Sequence, residues 1–157
     1  MILVSSCLMG FPCRYNALIQ ERAALYDALS RHAVPVCPEI LGGLGVPRPP
    51  SEIRGGAGAE VLLGSARVLN RLGEDVTWQY VLGARRAVSI GLQAGCRIAL
   101  LKARSPACGA GVVYDGTFSR TLRPGDGVFA ALLRAHGFRI YTEDEFEEAL
   151  LSHNGGK

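Results

Sequence analysis

Short apolar runs alternating with stretches of helical periodicity restrict this chain to a parallel α/β architecture. Ile2-Leu3-Val4, Val34-Pro35-Val36 and Ile98-Ala99-Leu100-Leu101 are each too short for a lone helix and too apolar for a surface loop. Between the first two, Leu18, Leu25, Leu29 and His32 recur at helical spacing, which predicts an amphipathic helix over 18–31. Strand, helix and strand in that order imply parallel neighbours joined by a right-handed crossover. Phe138–Tyr141 supplies a fourth run. The expected fold is α/β: a three-layer sandwich with a Rossmann-like, mostly parallel sheet and short hairpin additions.

The remaining segments fill in around this frame. Asp75 can cap a long helix through Ala94, with Val81, Ala84, Val88 and Leu92 on its apolar face and Gly95 as its stop. A further helix spans 127–136. Thr142 and Glu145 form a capping box for a last helix through Leu151, leaving 152–157 as a frayed tail. Pro38–Ala59 reads as a long loop rich in Gly and Pro. Glu60–Leu63 and Ala66–Leu69 read as a hairpin over it, and Val112–Tyr114 with Thr117–Thr121 as a second hairpin around Asp115-Gly116.

With 157 residues and no linker or internal repeat, one domain is expected over 1–157. No apolar run approaches the ~20 residues of a membrane-spanning helix, and Met1–Val4 lacks the basic start of a signal peptide. A cytoplasmic protein that does not engage membranes is therefore expected. The net charge of +3 permits an anionic ligand but is too small to argue for non-specific nucleic-acid binding. Five cysteines, an odd number in such a chain, favour metal or catalytic use over a disulfide framework.

Three of those cysteines follow the strands. Cys7 comes after the first run, Cys37 directly after the second, and Cys108 after the third and a short turn. Carboxyl ends of parallel strands gather along one edge of the sheet, so the three thiols should converge. Three thiolates without an obvious fourth ligand suggest a metal centre with one open position. Cys96 precedes its strand, at the opposite edge, and reads as a buried apolar residue. Cys13 stands six residues past Cys7; it is a fourth ligand, a spare thiol beside the site, or structural. His32, His136 and His153 fall at helix ends or in the tail and form no zinc cluster. Glu39, two residues beyond Cys37, can reach the same cavity as a proton donor or acceptor. Ser105 can supply a hydroxyl. Arg14, Arg48 and Arg54 are candidates for a carboxylate or phosphate, although loop arginines are often merely solvated.

These segments resemble the thiouracil desulfidases. The resemblance is carried by Cys7-Leu8-Met9-Gly10 with Cys13-Arg14-Tyr15, Pro35-Val36-Cys37-Pro38-Glu39, Gly42-Gly43-Leu44 with Pro47-Arg48-Pro49-Pro50, Asp75-Val76-Thr77, Gly83-Ala84, Leu101-Lys102 with Ser105-Pro106-Ala107-Cys108-Gly109, and Tyr114-Asp115-Gly116-Thr117-Phe118. It implies a [4Fe–4S] cluster held by Cys7, Cys37 and Cys108, and removal of sulfur from a thiolated pyrimidine with sulfide release and no net redox change. It further implies Glu39 and Ser105 as the acid–base and substrate-contacting residues; Arg14 and Arg48, from their own chemistry, are the expected substrate-binding residues. The substrate would be a free base, a nucleotide or a thiolated RNA, between which the sequence does not choose; the RNA has no support of its own. Where the family commonly has Tyr-Asp-Gly, this chain has Tyr15-Asn16-Ala17, a lost carboxylate that puts substrate choice in question. Two other readings compete: a non-catalytic iron–sulfur or zinc protein, and a thiol-redox enzyme using Cys7 and Cys13, for which no Cys-x-x-Cys pair exists.

Overall fold

The computed structural model describes residues 1–19 and 23–155. At its centre four parallel strands, β1 (Ile2–Ser5), β2 (Ala33–Val36), β5 (Ile98–Leu101) and β8 (Arg139–Thr142), lie in the order β2-β1-β5-β8. Each is four residues long, so few ladder hydrogen bonds hold it. Burial carries the sheet: Ile2, Leu3, Val4, Leu100 and Leu101 are all fully buried, each such side chain contributing roughly 2 kcal/mol.

The alternation of side chains along each strand sorts them into two cores. Leu3, Ala99 and Leu101 face α4 (Thr77–Gln93) and α5 (Val128–Ala135), whose Tyr80, Ala84, Val88, Phe129 and Leu133 complete one layer. Ile2, Val4, Ile98 and Leu100 face the other way, onto Leu25 and Leu29 of α1 (Ala23–Leu29) and Ala149 of α6 (Phe146–Asn154). The three-layer α/β sandwich read from the sequence is the observed one. Among the described residues no helix is long and apolar enough to cross a membrane.

Several boundaries differ from the sequence reading. Leu18 and Ile19 are exposed and lie outside α1, and 20–22 fall outside the described residues. The fourth strand starts one residue later than expected, at Arg139. The capping box is present, with the Thr142 N–H donating to Glu145 Oε2 at 2.8 Å. The last helix runs on to Asn154, so Ser152–Asn154, expected in a frayed tail, are helical.

The first expected hairpin is a correction of kind. Gly58–Leu63 forms a helix, α3, and not a strand. An apolar run of three (Val61-Leu62-Leu63) fits either state. Two local signals decide it: the Glu60 carboxylate accepts the Ala57 N–H at 3.1 Å, and Gly64 closes the helix at φ +85°. The true hairpin pairs β4 (Arg67–Asn70) with β3 (Ser51–Arg54), the latter inside the segment expected to be loop. That segment also holds a short helix, α2 (Pro38–Leu41). In the second hairpin β6 (Val112–Tyr114) pairs with β7 (Leu122–Pro124), so 117–121 belongs to the connecting loop and not to a strand.

Two glycines set the position of α2. A Cβ on Gly83 of α4 would overlap the Pro38 carbonyl oxygen, and one on Gly42 would overlap the Gln79 carbonyl. The backbones of α2 and α4 are in direct contact there.

The turn after β5 is tied to the start of the last helical segment. Glu143 pairs with Lys102 and accepts the Ala103 N–H at 2.6 Å. Burial opposes the Glu143 charge, but the Lys102 and Ala103 hydrogen bonds outweigh it and hold the carboxyl below its ordinary range. Glu143→Gln should lower stability by about 2 kcal/mol at pH 7, toward the low side for a broken buried pair because Lys102 is partly solvated. A group whose folded pKa is depressed stabilises fully above its unfolded pKa and loses that contribution as pH falls through the folded value. The gap between wild type and Glu143→Gln should therefore close in urea titrations taken below about pH 4. A gap that persists in acid would assign the effect to packing.

Candidate active site

A cavity of about 650 Å³ opens at the carboxyl edge of the sheet, where β1, β2 and β5 end. Cys7 reaches it from the turn after β1, Cys37 from the end of β2, and Cys108 from the turn after β5. The three thiols read from the sequence as convergent do line one cavity, and Cys13 lines it with them. Cys96 is fully buried and is not among the lining residues.

The thiols form a connected set. The Cys37 thiol lies 3.9 Å from the backbone carbonyl oxygen of Cys13. The Cys37 thiol donates to Glu39 Oε2 at 3.4 Å. Hydrogen bonding to Cys13, then burial and the Glu39 charge, push the Cys37 thiol far above its usual range. Burial, then Glu39, does the same to Cys108. At Cys13 the bond with Cys37 pulls downward, but the bond with Cys7, burial and the nearby charges outweigh it, and the thiol is pushed up to about 11. Such a site penalises bare thiolates, and a bound cation reverses that penalty.

The donor set therefore fits a metal centre rich in thiolate. Soft sulfur ligands with no histidine favour iron–sulfur chemistry. Among the described residues no group of three or more His, Cys, Asp and Glu has the close spacing of a single-ion site. The three thiols arrive from three separate strand ends.

The turns that present these thiols are built from local hydrogen bonds. Ser105 Oγ accepts the N–H groups of Ala107 and Cys108 at 3.2 and 3.1 Å, which fixes the Cys108 turn. The hydroxyl proton remains for a ligand in the cavity, which Ser105 lines. Ser5 Oγ accepts the Lys102 N–H at 3.0 Å and joins the ends of β1 and β5.

Arg48 is placed differently from a free anion binder. Its guanidinium donates to Cys13 O at 3.0 Å and Gly45 O at 3.1 Å, and lies 3.9 Å from Glu39. Its backbone N–H holds Tyr15 O at 2.8 Å. Arg48 thus secures the Cys13–Tyr15 segment and orients Glu39, whose residue is 9% exposed. Arg14 lines the cavity. Arg54 does not; it donates to Gly116 O at 3.3 Å. Asn16 and Ala17 also lie outside the lining. Asn16 Oδ1 accepts the Leu18 N–H at 3.1 Å, as an aspartate would, and Ala17 takes φ +57°, where glycine would be unstrained. The departure from Asp-Gly alters a turn and not the cavity wall.

Sequence reasoning missed the outer wall. Arg71, Arg104 and Arg120 stand at the cavity with Phe118, and the Arg71 guanidinium lies 5.8 Å from the Phe118 ring centroid. Arg104, Phe118 and Arg120 all have positive φ, which nothing in their side-chain types announces. Tyr80, within α4, also lines the cavity, and burial raises its pKa well beyond the usual tyrosine range.

The comparisons with known proteins agree with this geometry. The 2-thiouracil desulfurase family matches residues 2–145. The chain is 44% identical to the uncharacterized protein YbbK of Bacillus subtilis (strain 168) over 153 residues, covering 96% of this chain and all of that protein. It is similar, at 40% identity and a TM-score of 0.86, to a solved structure described as the [4Fe–4S]-dependent thiouracil desulfidase TudS; the match covers 98% of this chain and 97% of that one. On its thiol-lined cavity, its fold and these matches, the chain belongs to the 2-thiouracil desulfurase family.

Proposed function

We propose that this protein is a [4Fe–4S]-dependent desulfidase that replaces the thiocarbonyl sulfur of a thiolated pyrimidine with oxygen from water. The observation that carries the reading is the arrival of Cys7, Cys37 and Cys108 at one cavity with Glu39 in hydrogen-bond contact with Cys37. Cys7, Cys37 and Cys108 would hold the cluster, which when bound supplies a Lewis-acidic iron with a vacant position for a soft sulfur donor.

The chain's own residues supply the rest. Glu39, oriented by Arg48, accepts a proton from the water that attacks the thiocarbonyl carbon. Carbon–oxygen bond formation is matched by loss of the carbon–sulfur bond, and sulfide leaves as the second product. The Ser105 hydroxyl, already accepting two backbone N–H bonds, can donate its proton to a ring heteroatom and orient the base.

The cavity's size and charge favour a nucleotide over the bare base. At about 650 Å³ it has room beyond a single pyrimidine ring. Of the cations that line it, Lys102 is paired with Glu143 and Arg48 with Glu39. Arg14, Arg71, Arg104 and Arg120 are left to meet an anionic group such as a phosphate. A small molecule suffices to fill this site.

Anaerobically reconstituted protein should release sulfide from 2- or 4-thiouracil or the corresponding thiouridine monophosphates. Turnover in ¹⁸O-labelled water should place one labelled oxygen in the product base, with no electron donor consumed. Turnover that required a stoichiometric reductant would defeat the hydrolytic mechanism. Absence of sulfide from every thiolated base and nucleotide would defeat the desulfidase assignment.

A further inference from the structure

The loop between β6 and β7 departs from ordinary backbone geometry. Phe118 has φ +56° and Arg120 φ +62°, two non-glycine residues in the left-handed region within three positions. Such conformations are unfavourable for residues with a side chain and persist only where their surroundings over-determine them. The surroundings here do so. The Asp115 carboxylate accepts the Thr117 N–H at 3.0 Å and its hydroxyl at 2.6 Å. Hydroxyls of Thr117, Ser119 and Thr121 follow one another at 2.5 and 2.7 Å. The Asp115 N–H closes the loop on Thr121 O at 3.0 Å.

What fixes this loop to the rest of the molecule is Glu52. From β3, one carboxylate oxygen accepts both the Gly116 N–H at 2.9 Å and the Phe118 N–H at 3.0 Å. Glu52 is buried, and charge-assisted bonds of this type are stronger than neutral ones. Gly116 permits the approach: with φ +91°, a side chain there would press on Ile53 O and Arg54 Cα. The outcome is a strained loop held against β3, with Phe118 and Arg120 at the cavity.

We propose that Glu52 is a positioning residue that pins the 115–121 loop so that Phe118 and Arg120 favour a thiolated pyrimidine carrying an anionic substituent over the bare base. Phe118, with Arg71 over its ring, offers a flat apolar face for a base or sugar, and Arg120 offers a guanidinium beyond it. The inference rests on the nucleotide reading of the cavity. Glu52 itself also lines the cavity, and its Oε2 accepts both loop N–H bonds.

The test uses cluster-reconstituted protein, with uridine 5′-monophosphate and uracil as non-reacting probes. Glu52→Ala should lose hydrogen-exchange protection at the Gly116 and Phe118 amides. It should bind uridine 5′-monophosphate about tenfold more weakly, the value of one good contact, with little change for uracil. In turnover, KM for the thiolated nucleotide should rise by about the same factor while kcat stays within about twofold. Glu52→Gln keeps a carbonyl oxygen that can accept both N–H bonds and should restore protection and binding. Arg120→Ala, at an exposed position that does not threaten folding, should reproduce the binding loss. Unchanged amide exchange in Glu52→Ala, a Glu52→Gln variant as defective as Glu52→Ala, or an Arg120→Ala variant with wild-type nucleotide binding would each overturn the proposal. Exchange and probe binding need no turnover. A wild type that binds the probe yet releases no sulfide from any thiolated substrate therefore defeats the desulfidase reading and not this one.

Discussion

Anaerobically reconstituted Cys37→Ala protein should contain neither the iron nor the acid-labile sulfide of the wild type, and should release no sulfide from a thiolated pyrimidine. The same is expected of Cys7→Ala and Cys108→Ala. All three thiols line the cavity, each from a different strand end. Cys13 is the sharp control. It lines the same cavity, yet it arises from the same segment as Cys7 and brings no new direction to the site. Cys13→Ala should keep the wild-type iron content and visible absorption, and Cys96→Ala should do so as well. Full cluster in Cys37→Ala, or loss of it in Cys13→Ala, would require a different ligand set. Oxygen exposure can strip an iron–sulfur site and oxidise its thiols, so the comparison has to be anaerobic throughout.

Glu39→Gln should retain the cluster and lose activity. The amide keeps the shape of the side chain but is not a base. A positioned general base contributes about 10²–10⁴-fold, so kcat should fall by a factor in that range. The surrounding geometry should survive the change. Arg48 keeps its bonds to Cys13 O and Gly45 O when the 3.9 Å contact with residue 39 weakens. Absorption and iron content should therefore match the wild type while turnover does not. Ser105→Ala should give a milder loss, felt mainly in KM if the hydroxyl only orients the ring. Unchanged turnover in Glu39→Gln would remove Glu39 from the mechanism.

The frame of the site was legible because strand ends are legible. Ile2–Val4, Val34–Val36 and Ile98–Leu101 are short, continuous apolar runs, and the residues just after them sit at one sheet edge by topology alone. The outer wall was not legible, for two reasons. Val61-Leu62-Leu63 is compatible with helix or strand, and choosing strand displaced β3, with Ser51 and Glu52, from its true partner β4. The loop after Tyr114 depends on left-handed residues that are neither glycine nor asparagine, a conformation imposed by Glu52 from more than sixty positions away. Arg48 illustrates a third difficulty. A loop arginine near a cavity suggests an anion site, but its guanidinium is engaged by carbonyls of its own surroundings, which no local pattern reveals.

The contact of Gly83 with Pro38, and of Gly42 with Gln79, carries a consequence for how this site can fail. The helix that begins just after Cys37 and bears Glu39 is referenced to α4, backbone against backbone, with no side chain between them to repack. Added bulk at either glycine must be absorbed by moving α2 as a body, and a thiol and a carboxylate move with it. A displacement near 1 Å is enough to cost about 10²-fold in a reaction that depends on alignment. Inactivating changes are therefore expected on a helix surface that never meets the substrate, where they would pass for ordinary packing defects. In this protein, the tolerance of the chemistry is governed by the clearance between two glycines.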